Sequence, residues 1–74
     1  MNLKSFIEGV EILRKYFKNP NGHHIGAEHD SIYIYATDNP VNEEDLARLD
    51  DLGWTQEDAV LGEYDTDCSW LAYV

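Results

Sequence analysis

The chain has 74 residues, 43% of them hydrophobic and 12% aromatic, with one cysteine and a formal charge of −10. That length makes one domain, the aromatic content argues against disorder, and a lone Cys68 excludes an intrachain disulfide framework. No apolar run approaches the ~20 residues of a membrane span, and Lys4 and Glu8 interrupt the stretch a signal peptide would need, so the expectation is a soluble, cytoplasmic domain.

Residues 3–17 predict an amphipathic helix behind the cap Asn2. Leu3, Phe6, Ile7, Val10, Leu13 and Phe17 recur at three- and four-residue spacing and form one stripe. Gly9 lies inside this pattern at a cost of about 1 kcal/mol against alanine, which predicts close approach of a neighbouring element there. Asn19-Pro20-Asn21-Gly22 stops the helix.

A hairpin follows. His24-Ile25-Gly26-Ala27-Glu28 is its first strand, His29-Asp30 its turn, and the alternating run Ser31–Thr37 its second strand. Alternation sends Ile32, Ile34 and Ala36 to one side and Ser31, Tyr33, Tyr35 and Thr37 to the other. Asp38-Asn39-Pro40 ends the strand. Asn42 then caps a second helix over 43–52, whose first turn holds Glu43, Glu44 and Asp45. Val41 is placed to staple onto Leu46, and Gly53 followed by Trp54 predicts a left-handed Schellman ending. Residues 55–67 read as a polar acidic loop with a short strand at Val60-Leu61, and 69–74 as a final strand beside 31–37. The predicted fold is α+β: two helices packed on one face of a three- or four-stranded antiparallel sheet, in the order α-β-β-α-β.

The charge is unevenly placed. Residues 1–37 hold four acids and four bases, whereas residues 38–74 hold eleven acids and the single base Arg48, so the whole net charge lies in the second half. An acidic half repels nucleic acid and attracts basic surfaces. Glu43, Glu44, Asp50, Asp51, Glu57 and Asp58 are the candidate partner-binding carboxylates. Glu43 and Asp50 stand two helical turns apart on one face, about 10 Å along the axis. A row of carboxylates on that scale imitates a phosphate backbone; the plainer reading is that acids keep a small domain soluble.

Other constellations point to less. His23, His24 and His29 are able to bind zinc, but no Cys-x-x-Cys or His-Glu-x-x-His spacing accompanies them, so no metal site is expected. Glu63-x-Asp65-x-Asp67 starts like a calcium loop, but Cys68 occupies the glycine position and the closing glutamate is missing. Asp65 and Asp67 beside Cys68 disfavour a thiolate, so no nucleophile is expected. The expectation is a non-enzymatic protein without cofactor. Tyr33 and Tyr35, joined by Tyr73 or Trp70, form a second candidate contact: an aromatic sheet face, open to a homodimer or covered by the 55–67 loop.

The run from His24 to Asp38, with Glu44-Asp45-Leu46, Leu52-Gly53-Trp54 and Trp70…Tyr73, resembles small uncharacterised acidic proteins of bacteria and their phages. In size and charge the chain is also similar to phage-borne inhibitors of bacterial defence, including anti-CRISPR proteins that mimic DNA. That second likeness is one of composition and transfers no residue roles. The functional expectation is an acidic module that engages a basic protein surface, in its sharpest form by mimicking nucleic acid and inhibiting a nucleic-acid-binding protein. The alternative is a small structural or assembly protein that homodimerises through its tyrosine face.

Overall fold

A computed structural model of the chain describes residues 1–19, 21–56 and 64–73. In chain order these form α1 (Leu3–Arg14), β1 (Ile25–Glu28), β2 (Ser31–Ile34), α2 (Glu43–Leu52), β3 (Thr55–Gln56) and β4 (Trp70–Tyr73). The four strands make one antiparallel sheet in the order β1-β2-β4-β3. Both helices cover one of its faces: Ile12 and Leu13 of α1, Leu49 of α2, and Ile34, Trp70 and Ala72 of the sheet share a core with Val41 and Trp54. The fold class is that read from the sequence, and the order α-β-β-α-β holds with the short β3 added before the last strand.

α2 forms for local reasons. The Asn42 side chain accepts the Asp45 amide at 2.8 Å, and three carboxylates in the first turn face the positive end of the helix dipole. Gly53 closes the helix at φ 93°, in the left-handed region that favours glycine. The Trp54 amide donates to Leu49 O at 2.9 Å and the Gly53 amide to Asp50 O at 3.0 Å, the paired bonds of a Schellman ending. That ending throws the indole back into the core, where Trp54 is fully buried.

α1 departs from its predicted face. Leu3 is 73% exposed and Ile7 49% exposed, while Gly9, Ile12 and Leu13 are buried. The cause is Trp54. Its ring stacks on Phe6 at 5.6 Å between centroids, its Nε1–H donates to Ser5 O at 3.3 Å, and a Cβ on Gly9 would fall 1.9 Å from the indole nitrogen. The helix turns its glycine toward the ring. Alanine at position 9 would recover about 1 kcal/mol of helix propensity and lose more to a clash with a rigid buried ring. α1 also ends earlier than residue 17. The amides of Lys15, Tyr16 and Phe17 donate to carbonyls three residues back, which tightens the last turn, and Phe17 then stacks on His24 at 4.2 Å.

β2 is likewise shorter than 31–37. The Tyr35 amide still reaches His24 O at 2.8 Å, but the next groups turn to the segment that follows α1. The Asn39 amide donates to Tyr16 O at 3.0 Å, and Asp38 accepts the Lys18 amide at 2.8 Å. β3 stands where a polar loop was read; the proposed strand at Val60-Leu61 lies outside the described residues.

Candidate functional site

The two halves of the chain are joined by charge. Lys15 of the neutral half meets Asp45 at 2.9 Å, and the Tyr16 hydroxyl donates to the same carboxylate. Arg48, the only base of the acidic half, grips Glu8 of α1 through Nε and through Nη2 at 2.9 Å. The Tyr16 hydroxyl, then Lys15, hold Asp45 below the ordinary aspartate range; Arg48 holds Glu8 below the glutamate range. Burial pushes the Tyr16 phenol up, with Asp45 acting in the same direction. Asp45 and Arg48 are therefore engaged in holding α2 to α1.

The remaining charges of α2 are not engaged in this way. At 3.6 residues per turn, Asp50, Glu43, Ala47, Asp51 and Glu44 follow one another around a continuous outward arc. Glu43, Glu44, Asp50 and Asp51 are all exposed, and among the described residues none forms an ion pair. The structure thus brings four of the six candidate carboxylates onto one helix face. Glu57 and Asp58 lie outside the described residues, so their relation to this arc does too.

The tyrosine face is resolved by register. Directly opposed residues of antiparallel strands share a face. Ile34 opposes Trp70 and Ile32 opposes Ala72, which places Trp70 on the helix-covered side. Tyr33 opposes Leu71, Ser31 opposes Tyr73, and Leu71 opposes Thr55, so these five share the side away from the helices with Glu28 and Gly26. Tyr73, not Trp70, is the aromatic of β4 on this face. Tyr35 is 45% exposed and lies 6.0 Å from the half-buried Tyr33 between ring centroids. The Tyr33 ring covers Gly26, where a Cβ would fall 2.3 Å from it, and its hydroxyl lies 3.5 Å from Glu28 Oε1.

This face is not a flat aromatic patch. It holds a trough of about 390 Å³ lined by Glu28, Asp30, Ser31, Tyr33, Thr55, Gln56, Leu71 and Tyr73. Reading the sequence as two candidate surfaces, one acidic and one aromatic, missed that Glu28 and Asp30 lie with the tyrosines. The signal was present: a two-residue turn at His29-Asp30 pairs Glu28 with Ser31 and sends both to the Tyr33 side.

The other candidates are used structurally. The His24 ring packs on Phe17, with Nε2 2.6 Å from Asn19 O, whereas His23 and His29 are exposed. Among the described residues no three metal-ligating side chains come together. Asp65 accepts the Asp67 amide at 2.8 Å, and Gln56 hooks the same turn through its amide group, accepting from Asp65 N at 2.9 Å and donating to Asp65 O at 2.6 Å. No described helix is long and apolar enough to cross a membrane. No family model, no curated protein and no solved structure matches the chain.

Proposed function

We propose that this chain is a non-enzymatic binding module whose acidic α2 face engages a basic protein surface. The supporting observation is the division of labour on α2: Asp45 and Arg48 hold the helix to α1, while Glu43, Glu44, Asp50 and Asp51 are exposed and form no salt bridge among the described residues, Asp51 acting on Arg48 only through longer-range charge. The roughly 10 Å from Glu43 to Asp50 spans about three nucleotide steps of one DNA strand. A groove of lysines and arginines that follows phosphates would meet comparable negative charge here. The partner of the sharpest form is accordingly a nucleic-acid-binding protein.

The test is a capture experiment with tagged protein in lysate of the natural host, washed at low and then high salt. The comparison variant is Glu43→Gln, Glu44→Gln, Asp50→Lys and Asp51→Lys; glutamine replaces the two first-turn acids because lysine there would oppose the helix dipole. The expected result is a nucleic-acid-binding protein held at low salt, released at high salt and absent from the variant capture. Equal capture by the variant, with its helical circular dichroism unchanged, overturns the proposal.

A further inference from the structure

The trough lies on the other side of the sheet from α2, and its chemistry is different. Its floor is closed: Leu71 is 8% exposed and Ser31 5%, although neither faces the helices. Tyr33 and Tyr73 are diagonal neighbours across β2 and β4, and Tyr73 is 57% exposed. Glu28 and Asp30 are exposed at the same trough, which no lysine or arginine lines. Rings attract a cation that comes within about 6 Å of their centroids, and carboxylates supply the opposite charge.

We infer that this trough binds a guanidinium side chain of a partner protein. A planar guanidinium stacks on a phenol ring while its edge donates two parallel bonds to a carboxylate. It is also less strongly hydrated than an ammonium, so it enters a half-closed trough at lower cost than lysine. The volume, about 390 Å³, lies at the small end of ligand clefts, suited to one side chain and not to a folded element. A second copy of the chain is the wrong occupant by charge. A two-fold contact through this face would bring both copies of Glu28 and Asp30 into one interface with no lysine or arginine of the trough to meet them, between molecules that each carry −10. The site is independent of the α2 reading, and either one stands if the other fails.

The test is an amide-resolved NMR titration of the whole chain with the capped tripeptide Gly-Arg-Gly, and in parallel with Gly-Lys-Gly and Gly-Gln-Gly. Arginine should give weak, saturable shifts confined to residues 28–33, 55–56 and 71–73, with no response to glutamine. Glu28→Gln/Asp30→Asn changes two exposed side chains and leaves the fold intact; it should weaken arginine binding about tenfold, equivalent to roughly 1.4 kcal/mol. Tyr73→Leu, which keeps the bulk and removes the ring, should weaken it as well. The α2 variant should bind arginine as the wild type does. Shifts that never saturate, that centre on α2, or that persist unchanged in Glu28→Gln/Asp30→Asn overturn the inference. So does a concentration-dependent dimer by light scattering whose dilution moves the same amides, since that assigns the face to a second copy.

Discussion

The outward arc of α2 is convex and carries four exposed carboxylates, whereas the trough on the opposite side of the molecule is concave and carries two, beside two phenol rings. On the arc every carboxylate keeps its water. Each contact there is worth about 0–1 kcal/mol, and salt screens its reach to about 8 Å under physiological conditions. Such a surface accelerates encounter with any basic partner and discriminates little among them. In the trough a closed floor and two rings displace part of that water, so shape and hydrogen-bond geometry select one kind of cation. In the two proposed roles, the larger charge serves attraction, and the smaller, better enclosed charge serves selectivity.

The comparison breaks completely if the joint between the layers is removed. Trp54 links the end of α2 to Phe6, Ser5 and Gly9 of α1 and is fully buried. Trp54→Ala should cost about 3–5 kcal/mol in urea unfolding and remove both surfaces together. A loss below 1 kcal/mol would show that the joint lies elsewhere.

A smaller change separates the two surfaces. Asn42→Ala removes the acceptor for the Asp45 amide and frays the turn that carries Glu43 and Glu44. It should cost about 1 kcal/mol and speed amide exchange in the first turn of α2, with β2 and β4 protected as before. Equal loosening of the sheet would mean that the two regions are not independent.

The smallest effect is one of pH. Asp45 titrates below the ordinary aspartate value when folded, chiefly through the Tyr16 hydroxyl and then Lys15. Its contribution is therefore fully present above about pH 4, the unfolded value, and is lost as pH falls through the lower folded value. Asp45→Asn should flatten the acid limb of the stability curve below about pH 4 and leave the trough's arginine response at neutral pH unchanged. An unaltered acid limb would remove Asp45 from the account of how the halves are joined.

Legibility differed by element for the same reason that these effects differ. α2 was readable to the residue because Asn42, the first-turn acids and Gly53 act within one turn of chain. α1 was misread because its apolar residues support more than one face. Phe6, Val10 and Leu13 belong to either, and the choice between burying Ile7 or Ile12 was made by an indole more than forty residues away. Gly9 was the one local hint. The trough was harder still. Glu28, Tyr33 and Leu71 come from three strands, and only their register shows that they share a face.

The amino-acid sequence by itself determined the α+β class, the positions of α2, the hairpin and the last strand, how α2 is capped, and that the net charge gathers in the second half. These follow from propensity, capping and composition, which act over a few residues. The tertiary structure alone decided which face of α1 is buried, that Asp45 and Arg48 are withdrawn from the acidic surface by Lys15 and Glu8, and that Glu28 and Asp30 join Tyr33 and Tyr73. Those outcomes depend on pairings between distant segments, where packing around Trp54 and strand register override what any single stretch of sequence prefers.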